Sequence, residues 1–176
     1  YSLLDEEESH HCFGVLRKKS GDTILVTDGA GTFYHCLIKG KNGKLCEFVV
    51  ERIETVRTDS TFLHVAIAPT KNIDRIEWFL EKAVERGVDE ITLITSANSE
   101  RKKVNGDRLL RVMISAMKQS LRARLPKLNP LTGFDLFVQK NFSGLKLIAE
   151  QHDAVPIKSA LTHKTDLVIV IGPEGG

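Results

Sequence analysis

The sequence predicts two domains in series: a small all-β domain, then an α/β domain built on a parallel sheet. Three observations lead there. Up to about residue 56, short runs rich in β-branched and aromatic residues are cut by turn residues, with no helical period between them. From residue 61, strand-like runs alternate with helical ones, the layout of an α/β domain. The last two runs, 145–149 and 167–171, are nearly all apolar rather than alternating, as in strands buried on both faces of a parallel sheet. The chain has 176 residues, 41% hydrophobic and 27% charged, which excludes wholesale disorder and leaves room for a core in each domain.

In the first domain the strands are residues 23–27, 32–39 and 44–53. Ser20-Gly21-Asp22, Asp28-Gly29 and Lys41-Asn42-Gly43-Lys44 separate them, with Asn42-Gly43 as the centre of a hairpin turn. Three short strands with no helix among them suggest a small barrel or curled sheet. In the second domain residues 62–68 form a strand that Pro69 ends. Residues 72–86 form an amphipathic helix with Ile73, Ile76, Phe79, Leu80, Ala83 and Val84 inward, Asn72 as N-cap and Gly87 as stop. Trp78, on this helix, reads as a packing residue. Strand 90–95 follows, then a helix over 107–122 bounded by Pro126, a weaker helical stretch over 132–142, and the two apolar strands. The boundary is placed at 58/59.

No apolar run approaches the ~18 residues of a membrane span, and residues 1–8 lack the basic and apolar regions of a secretory signal. Cys12, Cys36 and Cys46 are an odd set without CxxC spacing, which disfavours disulfides and zinc. The six histidines show no metal spacing, so no metal is expected and a cytoplasmic location is. The chain lacks an initiator Met and stops in a glycine-rich loop, which reads as a fragment or as missing ends.

Two features carry chemistry. The first is the loop Gly172-Pro173-Glu174-Gly175-Gly176 after strand 167–171, which reads equally as a ligand loop or a plain turn. It is neither a P-loop nor a GxGxxG fingerprint. The second is charge. Residues 101–127 hold nine Lys and Arg against one Asp. Arg108, Arg111, Ser115, Lys118 and Arg122 fall at helical spacing on one side, and Arg101 precedes them. Few acidic residues accompany them, so they read as a ridge that tracks phosphates, against the alternative of a solvated face.

Taken in order, the motifs resemble one family, the SPOUT-class RsmE methyltransferases that modify uridine N3 in 16S ribosomal RNA. The resemblance rests on His11-Cys12, Val15-Leu16-Arg17, Gly21-Asp22 and Asp28-Gly29, then on Asp74-Arg75-Ile76-Glu77-Trp78, Lys82-Ala83 and Glu85-Arg86-Gly87-Val88. Ser99-Glu100-Arg101, the run Gln119-Ser120-Leu121-Arg122-Ala123-Arg124-Leu125-Pro126, and Ile171 with the GPEGG loop complete it. It implies a PUA-like barrel over 1–58 and a SPOUT domain over 59–176 with a C-terminal trefoil knot, incomplete in this chain. It also implies S-adenosylmethionine as cofactor, the small ribosomal subunit as partner, and a homodimer. Carried over, Leu147, Ile148 and Ala149 enter one cofactor loop and Ile171, Gly172, Pro173, Glu174, Gly175 and Gly176 form another. Arg17, Arg101, Arg108, Arg111, Lys118, Arg122 and Arg124 face RNA, with Arg122 or Arg124 stabilising charge on the base. Glu150 stands where the family often has His, and no run after GPEGG is present to complete the knot. No general base is identified. The rival readings are a non-catalytic RNA-binding module and a small-molecule enzyme that holds a phosphate on the GPEGG loop.

Overall fold

The computed structural model describes residues 1–57, 61–150, 155–161 and 165–173. The chain divides into two compact units, Tyr1–Thr58 and Asp59–Gly176.

The first unit is a four-stranded antiparallel sheet in the order β1-β4-β3-β2, with β1 Ser2–Leu3, β2 Thr23–Thr27, β3 Thr32–Asn42 and β4 Leu45–Thr55. Among the described residues β1 and β2 remain edges, so the sheet is open and bulges at His35/Cys36 and Ile38/Gly40 bend it. The hairpin turn sits one residue later than expected. Asn42 pairs with Leu45, and Gly43, at φ +62, is the first central residue, where a type II′ turn needs glycine.

The acidic run near the start is a helix that charge alone did not announce. Helix α1 spans Glu6–His10, and the Asp5 carboxylate accepts from the Glu8 amide at 2.8 Å. Glu6, Glu7 and Glu8 fill the first turn, where negative charge complements the helix dipole. A π-helical turn, His11–Val15, continues it and brings Cys12 against Cys46 and Ile38. The Cys12 and Cys46 sulfurs lie 4.0 Å apart as free thiols. Burial, with the neighbouring Cys12, pushes the Cys46 thiol up to about 11, so it packs as a neutral side chain.

The second unit is a five-stranded parallel sheet in the order β7-β6-β5-β9-β8. Its strands are β5 Leu63–Ile67, β6 Glu90–Thr95, β7 Lys127–Gly133, β8 Leu145–Ile148 and β9 Leu167–Ile171. Helices α2 (Ile73–Arg86) and α3 (Gly106–Gln119) cover one face. Leu80, Ile76, Ile91, Leu93 and Met113 are fully buried there, each contributing on the order of 2 kcal/mol by its removal from water. Short helices α4 (Phe134–Val138) and α5 (Ile157–Ala160) complete the described elements. Phe137 of α4 packs on the other face, against Ala66, Ile94, Val168 and Val170.

Helix α2 follows its sequence signals. The Asn72 side chain accepts from the Asp74 amide at 3.0 Å, and Gly87 closes the helix at φ +78. Four expectations need correction. Residues 127–133 are a strand, not the start of a helix over 132–142. Pro130, which cannot donate to a ladder, and a register shift opposite Thr92/Ile94 disguise it, and an edge strand tolerates both. Strand β8 is also an edge: Lys146 and Ile148 are exposed, so only β9 of the two apolar runs is buried on both faces. Trp78 is 64% exposed and is not a core residue.

The fourth correction concerns α3, which ends at Gln119 rather than 122. The Ser120 hydroxyl donates back to the Ala116 carbonyl at 2.6 Å, and Leu121 takes a left-handed φ of +50. Arg122 therefore lies off the helix and out of line with Arg108, Arg111 and Lys118. Its guanidinium donates to the Glu85 carbonyl at the end of α2, with Nε at 3.0 Å.

Candidate functional site at the carboxyl end of the parallel sheet

Open α/β sheets bind ligands beyond the carboxyl ends of their strands, where loops diverge and backbone groups are unpaired. In this sheet two of the sequence-predicted cofactor segments meet there. Strands β8 and β9 are neighbours, and the Ala149 amide donates to the Val170 carbonyl at 2.8 Å just where both strands end. On the other side of β9, the Ala68 amide donates to Ile171 at 2.9 Å. Leu147, Ile148, Ala149, Ile171, Gly172 and Pro173 are thus adjacent, while Glu174, Gly175 and Gly176 lie outside the described residues. A Cβ placed on Gly172 meets no described residue within 4 Å, so among the described residues space is open over this glycine. Ile148, 68% exposed, offers an apolar surface beside it. Exposed apolar surface, free strand ends and an uncrowded glycine fit a nucleoside-bearing cofactor.

The loops after β5 and β6 are tied together by Arg101. Its Nε donates to the Thr70 carbonyl at 3.1 Å and its Nη2 to the Lys71 carbonyl. The Ser99 hydroxyl, buried at 4% exposure, accepts from the Ser96 amide at 2.8 Å and holds the same loop in a tight turn. Beyond that turn a cleft of about 510 Å³ opens between the ends of β6 and β7, lined by Thr95, Ser96, Ala97, Lys102, Gly133, Phe134 and Asp135. Sequence reasoning missed this cleft, because it depends on β7.

The predicted cationic ridge is divided by the fold. Arg108 pairs with Glu77 of α2: its Nη2 donates to Oε2 at 3.0 Å, and its Nε lies beside Oε1 as an ion contact. Arg101 and Arg122 bind backbone carbonyls. These three positions hold elements together, and an acidic partner that the spacing did not reveal faces the ridge at Arg108. Arg111, Lys118 and Arg124 remain exposed around α3. Arg17 is exposed in the first unit, at a left-handed φ of +54.

A second cleft, of about 290 Å³, lies under α4 on the sheet face and includes Leu147, Ile148, Phe137, Lys140 and Lys146. His64 and Glu90, which line it, belong to a polar chain: His64 Nε2 lies 2.8 Å from Thr92 Oγ1, and Asn129 donates to Thr92 at 2.8 Å and to Glu90 at 2.6 Å. Burial pushes the His64 imidazole below its ordinary value, against the pull of Glu90. Burial raises Glu90 in turn, but hydrogen bonds from Asn129 and Lys127 outweigh it and hold the carboxyl below the usual range. Because folded His64 resists protonation, its contribution to stability is full above the unfolded value of about 6.5 and is lost as pH falls below it. The stability gap between wild type and His64→Gln, read from urea midpoints, should shrink from pH 7.5 to pH 5; a constant gap would contradict a neutral buried imidazole.

Among the described residues no three His, Cys, Asp or Glu gather as a metal site, and no helix is long and apolar enough to cross a membrane.

Comparison with known proteins places this geometry. Residues 57–176 match the family described as the RNA methyltransferase domain, and residues 4–51 match the RNA methyltransferase PUA domain. The ribosomal RNA small subunit methyltransferase E of Rickettsia conorii is 28% identical over 181 residues, covering 99% of this chain and 72% of that protein. The structure of a "probable rRNA-methyltransferase from Porphyromonas gingivalis" is 38% identical with a TM-score of 0.88, covering 98% of this chain and 75% of that one. The Neisseria gonorrhoeae ribosomal RNA small subunit methyltransferase E, bound to S-adenosyl methionine, shares the fold at 23% identity and a TM-score of 0.87, with 99% and 75% covered. A PUA domain followed by an RNA methyltransferase domain makes the chain an RNA methyltransferase. Within that class, the chain belongs to the RsmE family.

Proposed function

We propose that this protein transfers a methyl group from S-adenosylmethionine to N3 of a uridine in 16S ribosomal RNA of the small subunit, as a cytoplasmic homodimer. The observation that carries the reading is the meeting of the β8 and β9 ends, which joins two motif-matched segments distant in sequence. Leu147, Ile148, Ala149, Ile171, Gly172 and Pro173 would hold the cofactor, in loops that belong to a trefoil knot. When bound, the cofactor supplies an electrophilic methyl on a sulfonium, so the protein's task is positioning and proton removal. The target base must be unpaired or flipped to present N3, which lies on its Watson–Crick edge. The PUA domain with Arg17 and the exposed Arg111, Lys118 and Arg124 would bind the phosphate backbone, which sets register without reading sequence. Arg122 is engaged by the Glu85 carbonyl, and Arg124 precedes β7 at the amino end of that strand, so Arg124 is assigned to the phosphate backbone rather than to the base.

Gly172→Val tests the cofactor loop. The open space over Gly172 accepts a side chain, so the melting temperature should not move, whereas S-adenosylmethionine affinity measured by calorimetry should fall at least tenfold. Unchanged affinity would remove this loop from the cofactor site, and a protein that binds RNA but no S-adenosylmethionine at any concentration would favour the non-catalytic reading.

A further inference from the structure

Uracil presents a donor, N3–H, flanked by two carbonyl acceptors. A pocket that reads it needs an acceptor with donors near it, and one that removes the N3 proton needs that acceptor free to take it. The cleft between the ends of β6 and β7 has this composition. Thr95 and Gly133 are register partners, and beyond them the chains separate, so Ser96 and Ala97 stand on one wall and Phe134 and Asp135 on the other. Asp135 is exposed, and no hydrogen-bond or ion-pair partner engages its carboxylate among the described residues. Thr95, Ser96 and Lys102 line the same cleft and bring hydroxyl and ammonium donors to it, and Phe134 supplies a ring. Arg101, bonded to the Thr70 and Lys71 carbonyls, anchors the loop that carries Ser96 and Lys102.

We propose that this cleft receives the acceptor uracil and that the Asp135 carboxylate takes its N3 proton. The assignment rests on the functional reading above and deepens it. The N3–H bond breaks with the proton passing to a carboxylate oxygen. The N3 electron pair forms the new bond to the methyl carbon, whose bond to sulfur breaks with both electrons left on the neutral thioether. Lys102 and the hydroxyls face the uracil carbonyl oxygens, on which negative charge develops as N3 loses its proton. Two strand spacings, about 10 Å, separate β6 from β9, a distance a nucleoside-sized cofactor spans across the end of β5.

The test begins without cofactor. A short single-stranded RNA with one uridine is compared with the same RNA carrying N3-methyluridine, which has lost the donor. Full-length wild type should bind the uridine form at least tenfold tighter, and Asp135→Ala should reduce that preference to under threefold. With cofactor, Asp135→Ala should slow single-turnover methyl transfer on the order of a hundredfold or more, Asp135→Glu should restore part of the rate, and cofactor affinity should stay within twofold. An Asp135→Ala protein that keeps both the preference and the rate overturns the assignment. So does a wild type that methylates RNA but binds the two forms alike. A wild type that transfers no methyl to ribosomal RNA overturns the broader reading instead, and the binding contrast still decides whether the cleft reads uracil.

Discussion

Gly144→Ala should separate β8 from β9 and weaken S-adenosylmethionine binding and stability together. A Cβ at position 144 would sit 2.1 Å from the Asp166 carbonyl oxygen, a backbone atom that cannot turn aside. The same carbonyl accepts from the Leu145 amide at 2.8 Å, the bond that starts the β8–β9 ladder. Overpacking of this kind costs about 1–3 kcal/mol, read from the urea midpoint of the variant. Because β8 delivers Ile148 and Ala149 to the site, cofactor affinity should fall at least tenfold even where the fold persists. A variant with wild-type stability and affinity would show that β8 does not position the cofactor loop.

Two triple variants should part sharply in RNA binding. Arg111, Lys118 and Arg124, all exposed, changed together to Gln should lower the melting temperature far less than the second set and make the log–log salt dependence of RNA affinity shallower by about 2. Affinity at low salt should drop on the order of tenfold or more. Arg101, Arg108 and Arg122 changed together to Gln should do the reverse. They bind Thr70, Lys71, Glu77 and Glu85, so thermal stability should fall while the salt slope stays nearly constant. Equal slope changes from both sets would return the whole row to RNA contact.

The contrast marks how far the sequence was legible. Helix α2 could be read almost to the residue because its two ends carry distinct local chemistry, an Asn72 cap and a Gly87 stop. Strand β6 was legible because it is a short apolar run between polar neighbours. The end of α3 was not, because the residue that leaves the helix is Leu121, and no glycine announces its left-handed turn. Helical spacing carried past that point put Arg122 on a ridge it does not share. Likewise β7 hides behind Asn129 and Pro130, and with it the cleft that holds Phe134 and Asp135, since a cleft between two strand ends is visible only when both strands are known. The roles of Arg101 and Arg108 were illegible for a further reason: charge density is local in sequence, but their partners lie 31 residues away for Glu77 and 30 for Lys71. The two segments proposed to hold the cofactor stand out by motif, whereas their adjacency came only from the pairing of β8 with β9.

The most direct test of the account is methyl transfer itself. Full-length protein, small-subunit ribosomal RNA lacking the modification and S-adenosylmethionine with an isotopically labelled methyl group are combined, and the RNA is digested to nucleosides for mass spectrometry. Label is expected in N3-methyluridine, at one uridine. RNA that is bound but carries no label, or label that appears in any other nucleoside, would contradict it.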